Sequence, residues 1–253
     1  MLSIIIPSCN DPYLNRTIRS VIWNKKREVE VIPILDGTSE EVYEQHRVHP
    51  IYLPETRGLA NAVELGVKMA RGELIMKVDA HCKFAPGFDL ELNPAENEVM
   101  IPRRYQLDVE RWEIMQDELP VDYEKLVIHP RYHKFHGTVW RSRQRERADF
   151  PIDETMMFQG SCWVMHKKWY EQIQPFVDSV GLQMPQEPLD IAMKTWMNGG
   201  RLMVNKNTWY AHKHKSFSRT YDAKHDAELW SDNIDKYLKY YETVVKPRFY
   251  GVQ

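Results

Sequence analysis

The stretch Gly72-Glu73-Leu74-Ile75-Met76-Lys77-Val78-Asp79-Ala80-His81-Cys82 places two polar side chains directly after a short apolar segment. The segment from Leu74 to Val78 is mostly apolar, which is typical of a strand buried inside a sheet. Side chains alternate along an extended backbone, so Asp79 and His81 should point the same way at the end of this strand. A carboxylate and an imidazole aimed at one point can hold a divalent cation. The alternative is a turn-forming aspartate beside a solvated histidine, and the flanking sequence has to decide between the two.

The first 80 residues alternate between strand-like and helix-like segments. Strands are predicted over 2–7, 30–35, 51–53 and 74–78. Helices are predicted after Asp11-Pro12, where Asp11 is the N-cap, after Ser39, and over 59–69. This order with short connections predicts an α/β fold with a mostly parallel sheet flanked by helices. Ligands of such sheets bind outside the carboxyl ends of the strands, where the chain places Ser8, Cys9, Asn10, Asp36, Arg57, Asp79 and His81.

The second half is less regular. Strands are expected near 99–101, 158–165, 201–204 and 208–210, and helices over 167–173, from Glu187-Pro188 to Gly199-Gly200, and over 226–245. The stretch from 126 to 147 is basic and aromatic, and we interpret it as a long loop or lid, with a solvated basic face as the alternative. No repeat or linker is visible, so the chain is predicted to be one domain.

Composition restricts the class of protein further. The 253 residues are 43% hydrophobic and 28% charged, which is enough for a packed core. A formal net charge of −2 argues against a general polyanion binder but permits a local basic patch. No apolar run reaches the roughly 18 residues of a membrane span, and no signal peptide is visible. The three cysteines lack metal-type spacing, so a cytoplasmic protein with reduced thiols is expected.

Several short motifs, in order, resemble a known family. The segments 4–10, 35–37, 57–62, 71–73 and 78–81 resemble the nucleotide-binding half of family 2-type glycosyltransferases, which have the GT-A fold. The Asp79-x-His81 form followed by Cys82 is similar to the polypeptide N-acetylgalactosaminyltransferases. Glu187, Trp196, Gly199-Gly200 and His212 follow the order and spacing of those enzymes. The resemblance covers residues 2 to 215, with a gap over about 100 to 155.

The resemblance implies a single GT-A (Rossmann-like) domain over 1–253, with a nucleotide-binding half (1–100), an acceptor and metal-completing half (101–221) and a C-terminal helix (222–253). It implies a metal site made of Asp79, His81 and His212, with His214 as the competitor of His212. Mixed carboxylate and imidazole ligation suits Mn²⁺ better than Mg²⁺. The donor is then a nucleotide-sugar, with a UDP-sugar expected. Its binding residues would be Pro7, Ser8, Asn10, Asp36, Arg57, Gly58, Asn61 and Asp79.

Glu187 and Asp190 are the catalytic candidates. Inverting family 2 enzymes share a Glu-Asp pair, and the aspartate of this pair is the base for the acceptor hydroxyl. In this sequence Glu187 occupies the first position of the pair and Pro188 the second. Either Asp190 serves as the base after a shift in register, or the enzyme retains configuration and Glu187 orients the acceptor or stabilises the sugar cation. Retention is the preferred interpretation. A helix-dipole role for Glu187 is the structural alternative.

The acceptor and the oligomeric state stay open at this stage. A hydroxyl on a glycan, a lipid-linked sugar, a protein or a modified DNA base is compatible with a hexosyl- or pentosyltransferase. The Lys125 to Arg147 stretch suits a nucleic-acid backbone and stacked bases, or equally a lid over the diphosphate. The competing functions are a nucleotidyltransferase, disfavoured because the loop after the first strand has no glycine, and a non-catalytic nucleotide-sugar or nucleic-acid binding protein.

Overall fold

The computed structural model describes residues 1–43, 45–128, 135–176, 187–214 and 237–251. The first half contains β1 (Leu2–Ser8), α1 (Leu14–Asn24), β2 (Val29–Asp36), β3 (Ile51–Leu53), α2 (Leu59–Met69), β4 (Leu74–Val78), β5 (Cys82–Phe84) and α3 (Phe88–Glu91). The second half contains β6 (Glu98–Asp108), β7 (Glu113–Ile114), β8 (Glu124–Ile128), β9 (Phe135–Val139), α4 (Arg141–Glu146), β10 (Ile152–Glu154), β11 (Cys162–His166), α5 (Lys167–Ile173), α6 (Glu187–Met197) and β12 (Arg201–His212). A π-helical turn (Tyr241–Val245) and a short helix (Lys246–Tyr250) follow near the C-terminus.

One large sheet organises the chain, with strand order β10-β12-β6-β11-β4-β1-β2-β3. β1 pairs in parallel with β2 and β4, and β12 pairs in parallel with β6. β11 is antiparallel to both β4 and β6, so β4, β6 and β12 all run in the same direction. The carboxyl ends of β1, β2, β4 and β12 therefore meet at one edge. The predicted α/β fold with a mostly parallel sheet is confirmed.

Burial explains why these segments fold as they do. Every residue from Leu2 to Ile6 is buried, because β1 lies in the middle of the sheet with helices over it. Helix α2 packs so closely on β1 that a Cβ built on Gly66 would lie 2.4 Å from Cγ2 of Ile5. A larger residue than glycine would push the helix away from the strand. Among the described helices, none is long and apolar enough to cross a membrane.

One predicted helix start in the first half shifts, and one predicted helix is not seen. The helix predicted after Asp11-Pro12 forms, but it begins at Leu14 with Tyr13 at the N-cap position. The Asp11 carboxylate still accepts a hydrogen bond from the backbone N–H of Tyr13, as a capping aspartate does, and its other oxygen lies against His81. After Ser39, residues 40–43 and 45, which the structure describes, are not helical. The Glu40 carboxylate accepts a hydrogen bond from Ser8 Oγ, which joins this segment to the end of β1.

The prediction of a long basic loop over 126–147 is also wrong. β8 and β9 pair as an antiparallel two-stranded sheet, and α4 follows them, while residues 129–134 lie outside the described ranges. Leu126 and Phe135 are buried on this hairpin and supply its hydrophobic anchor. The many arginines hide the strand pattern, because few apolar side chains of this hairpin are buried among the described residues.

Three predictions about strands and helices of the second half differ from the structure or lie partly outside the described residues. The strand expected over 158–165 begins only at Cys162. The two strands expected over 201–210 are one, β12, with a register shift between Asn205 and Trp209 in its pairing with β6. The helix predicted over 226–245 falls partly in residues 215–236, which are not described, and the chain is helical over 237–250. The division at residues 100 and 221 stays a prediction, as does the cytoplasmic location.

Candidate metal centre and donor site

Three predicted ligands converge at the carboxyl edge of the sheet. Asp79 follows β4, His81 precedes β5, and His212 is the last residue of β12, where it pairs with Cys82 across the two strands. His212 Nε2 lies 3.2 Å from Asp79 Oδ2 and 3.0 Å from His81 Nε2. Their possible ligand atoms all lie within 4.8 Å of one another. The arrangement can hold a divalent cation through one carboxylate oxygen and two imidazole nitrogens.

Asp11 orients His81 within this cluster. Its Oδ2 lies 3.0 Å from His81 Nδ1, and both side chains are buried. When Nδ1–H donates to the carboxylate, the lone pair of Nε2 faces His212 and Asp79, as a metal ligand requires. The sequence predicts a helix cap at Asp11 but not this contact with His81. Its position at the end of β1, beside Asn10, was the available signal.

The protonation states suit metal binding. Burial would raise the pKa of Asp79, but the Lys77 ammonium and the neighbouring imidazoles outweigh burial and hold the pKa well below its usual value. Burial lowers the pKa of His212 to about 4, although Asp79 opposes that shift. The aspartate is therefore charged and His212 is neutral at pH 7, and these are the forms that coordinate a metal. Within the described chain, buried His212 Nδ1 has no hydrogen-bond partner.

His214, the predicted competitor, does not join the three ligands. Its Nδ1 lies 3.4 Å from Gln159 Nε2, and its ring meets the ring of His212 edge-on with centroids 5.2 Å apart. The strand pairing explains the choice. β12 ends at His212 opposite β5, whereas His214 lies two residues past the last pair.

Lys77 is a second residue of the site that the sequence pattern does not predict. It is 1% exposed, and its Nζ lies 2.7 Å from Asp79 Oδ1, 2.6 Å from the Gly160 carbonyl and 3.1 Å from Glu187 Oε2. Burial would lower the pKa of Lys77, but the two carboxylates outweigh it and raise the pKa above its ordinary value. Its position in an apolar strand predicts only a strand residue, but a buried lysine needs a charged partner, and this need is the available signal.

The predicted catalytic pair separates into two environments. Glu187 is 2% exposed and accepts hydrogen bonds from Lys77 Nζ and, at 2.6 Å, from Trp163 Nε1. Burial raises the pKa of Glu187, and Lys77 opposes that rise. Asp190 is also buried, but it accepts hydrogen bonds from the backbone N–H of Phe176 and from Tyr237 Oη. These contacts give Asp190 a structural function in the first turn of α6. They argue against Asp190 as the group that accepts the proton of the acceptor hydroxyl.

The predicted donor-binding residues come from the ends of β1, β2 and β4 and from the start of α2. The Asp36 carboxylate accepts hydrogen bonds from the backbone N–H groups of Arg57 (2.7 Å) and Gly58 (2.9 Å) and so holds the loop before α2. Gly58 has φ +85°, which a larger residue would rarely adopt. Other contacts join these loops: Asn10 with Thr38, Ser8 with Glu40, and Asn61 with the Arg57 carbonyl. Pro7 lies on β1 beside Ser8, and the Arg57 side chain is half-exposed.

In the described part of the basic stretch from Lys125 to Arg147, three arginines contact the protein itself. Arg147 forms a bidentate ion pair with Asp153, and Arg141 donates to the Pro120 carbonyl. The Arg143 guanidinium lies over the Trp140 ring at 5.3 Å from its centroid. These contacts fold α4 onto the domain. These three described arginines are therefore already engaged and are not free to bind a nucleic acid or a diphosphate.

The mostly parallel sheet, the cluster of Asp79, His81 and His212 at its carboxyl edge and the surrounding loops are typical of one class of protein. This class is the α/β transferases that use nucleotide-sugars. Residues 3–174 match the model of the family described as Glycosyl transferase family 2. The chain therefore belongs to Glycosyl transferase family 2, and the predicted enzyme class is confirmed.

Individual relatives agree with this family. Polypeptide N-acetylgalactosaminyltransferase 3 of Taeniopygia guttata is 25% identical over an alignment that covers 85% of this chain and 38% of that protein. Polypeptide N-acetylgalactosaminyltransferase 12 of Mus musculus is 24% identical over an alignment that covers 92% of this chain and 44% of that protein. A crystal structure of GalNAc-T7 with UDP, GalNAc and Mn²⁺ has the same fold, with a TM-score of 0.73 and 16% identity over 98% of this chain and 51% of that one. The chain thus spans about half or less of the length of these proteins.

Proposed function

We propose that this protein is a metal-dependent glycosyltransferase that moves a sugar from a UDP-sugar to a hydroxyl acceptor, with Mn²⁺ held by Asp79, His81 and His212. The observation that carries the proposal is the convergence of these three side chains at the carboxyl edge of a GT-A-like sheet. Support comes from the relatives, which are named as N-acetylgalactosaminyltransferases, and from the structural neighbour, which holds UDP and Mn²⁺.

The chemistry divides between the metal and the chain. A bound Mn²⁺ would neutralise the charge that develops on the departing diphosphate. Asp36 keeps the Arg57–Gly58 backbone in place beside the end of β1, where Ser8 and Asn10 would face the nucleoside. Asp11 keeps His81 in the ligating tautomer. Each of these residues holds another group in its working position before the reaction begins. The site would therefore stabilise the transition state through preorganised groups, without movement during sugar transfer.

For the stereochemistry we propose retention. Asp190 is tied to Phe176 and Tyr237, and Pro188 cannot accept a proton, so α6 offers no free base in the described contacts. Glu187 faces Lys77 and Trp163, beside Asp79. The anomeric configuration of the product, read by NMR, tests this: an inverted product from an α-linked donor contradicts it.

The decisive experiment is donor hydrolysis. We expect the wild type to release UDP from at least one of UDP-GalNAc, UDP-GlcNAc, UDP-galactose and UDP-glucose with Mn²⁺ present, and to lose that activity with EDTA. Asp79→Ala and His212→Ala should lose it by at least about a hundredfold, because a lost ligand costs a few kcal/mol. His214→Ala is the matched control and should stay within a few-fold of wild type. UDP-sugar binding without turnover for any donor would instead identify a binding protein.

The acceptor needs a separate panel. Peptides, small glycans and hydroxymethylated DNA each present a hydroxyl, and transfer of radiolabelled sugar separates them. If DNA is the acceptor, the rate should fall steeply with salt, because phosphate contacts release counterions. The internal engagement of Arg141, Arg143 and Arg147 favours an acceptor other than DNA.

A further inference from the structure

The buried lysine on β4 connects two charged groups of the site. The side chains of Lys77 and Asp79 are two residues apart and lie on the same side of the chain. Lys77 Nζ meets three acceptors: Asp79 Oδ1 at 2.7 Å, the Gly160 carbonyl at 2.6 Å and Glu187 Oε2 at 3.1 Å. An ammonium group has three N–H donors, so these contacts use all of them. No donor of Lys77 remains to bind a substrate.

The contact with Lys77 divides the two oxygens of Asp79 between different partners. Oδ1 accepts from the ammonium, while Oδ2 faces His212 Nε2 at 3.2 Å and His81 Nε2 at 3.8 Å. A carboxylate that is free on both sides can rotate or bind a cation through both oxygens. Here one oxygen is already held, and the other points at the two imidazoles.

The same ammonium holds Glu187 close to the strand. Trp163 Nε1 donates to Glu187 Oε1 at 2.6 Å and Lys77 binds Oε2, so both oxygens of this carboxylate are taken. A Cβ built on Gly160 would lie 3.2 Å from Glu187 Oε2, so the backbone there approaches the pair closely. A continuous series of hydrogen bonds therefore runs from Trp163 through Glu187 and Lys77 to Asp79.

We infer that Lys77 is a positioning residue of the proposed transferase, which makes Asp79 a one-oxygen ligand and fixes Glu187 of α6 relative to the metal. The inference rests on the proposed function, because it assigns Lys77 a purpose at the proposed metal site. A positioning role for Lys77 differs from a role in charge neutralisation alone. Burying a lysine beside one carboxylate would balance charge, whereas this lysine is shared between a metal ligand and a residue of another element.

The test removes the lysine without changing the formal charge of the site. The Lys77→Met/Glu187→Gln double variant loses one positive and one negative charge, and Glu187→Gln alone keeps the lysine on Asp79. The control is the Arg71→Met/Glu30→Gln double variant, which also removes one positive and one negative charge. In the wild type, Arg71 Nε donates to Oε2 of the buried Glu30 carboxylate at 2.7 Å. That pair lies beside Ser3 near the start of β1, at the opposite edge of the sheet from the three ligands.

The readouts are the Kd for Mn²⁺ by calorimetry and the visible absorption of Co²⁺-substituted protein. We expect the lysine double variant to bind Mn²⁺ about 10- to 100-fold more weakly than wild type, as for lost partners of other metal ligands, with a shifted Co²⁺ band. The control should keep the wild-type Kd and band. A lysine double variant that binds like wild type, or that loses no more affinity than Glu187→Gln alone, overturns the inference.

A second measurement does not depend on any variant folding. A crystal structure of the wild type with Mn²⁺ should show Asp79 bound through Oδ2 alone, with Lys77 Nζ still on Oδ1. Binding through both oxygens, or a lysine displaced from Asp79, overturns the inference while leaving the proposed function intact. If the wild type binds no Mn²⁺ at Asp79, His81 and His212, the proposed function itself fails.

Discussion

Replacing Asp11 by asparagine tests the orientation of His81 with a change of a single atom. In the wild type the 3.0 Å contact between Asp11 Oδ2 and His81 Nδ1 selects the tautomer with a free Nε2. Asparagine has the same shape but no charge, and its amide can present either an acceptor or a donor to Nδ1. A donor would reverse the tautomer and place a proton on Nε2, where the metal should bind.

The size of the effect follows from the site. Asp11 is 4% exposed, and a buried hydrogen bond to a charged group contributes about 1.5–3 kcal/mol. At about 1.4 kcal/mol for each factor of ten, that range corresponds to roughly a 10- to 100-fold change in Kd. Lost partners of metal-binding histidines in other proteins have effects of the same size. We therefore expect Asp11→Asn to weaken Mn²⁺ binding by roughly 10- to 100-fold.

Isothermal titration with Mn²⁺, at fixed pH on metal-free protein, gives the Kd directly. Asp89→Asn is the matched control, because Asp89 is a fully buried carboxylate that accepts hydrogen bonds from the backbone N–H groups of Lys26 and Arg27. It contacts none of the three ligands in the described structure. The reasoning is refuted if Asp11→Asn keeps the wild-type Kd, or if Asp89→Asn loses as much affinity.

Three further outcomes follow from particular contacts. In metal-free protein the pKa of His212 is about 4 in the folded state and about 6.5 in the unfolded state. Between these two pH values only the unfolded state binds the proton, so the free energy of unfolding should fall as the pH drops from 6.5 to 4. The loss is up to about 3 kcal/mol, and chemical denaturation of His212→Ala should lack this component of the slope. Gly66→Ala should destabilise the fold by about 1–3 kcal/mol in urea, since its Cβ would meet Ile5 at 2.4 Å; increased stability would contradict the packing of α2 on β1. Asp36→Asn should weaken UDP binding by about tenfold, because the Arg57 and Gly58 amides lose a charged acceptor; an unchanged Kd for UDP would place the nucleoside elsewhere.

Local pattern was enough to predict the parallel strands of the first half of the fold. Continuous apolar segments form β1, β2 and β4, and the helical patterns of α1 and α2 lie between them. This order indicates a parallel sheet, because a helical crossover returns the chain to the same edge before the next strand begins. The same alternation placed Asp79 and His81 on one side of the chain and at the edge where such sheets bind ligands. These inferences depend on neighbours in sequence, and the sequence contains all of them.

Long-range contacts decided the rest. Whether His212 or His214 reaches Asp79 depends on the pairing of β12 with β5, which joins residues 130 positions apart in the chain (His212 with Cys82). Asp11 and Lys77 are ordinary residues in their local sequence, a possible helix cap and a strand lysine. They became part of the site only when folding brought them to His81 and Glu187 and removed the water that would otherwise solvate their charges. A buried charge must find its partner in three dimensions, and no local pattern records which partner that is.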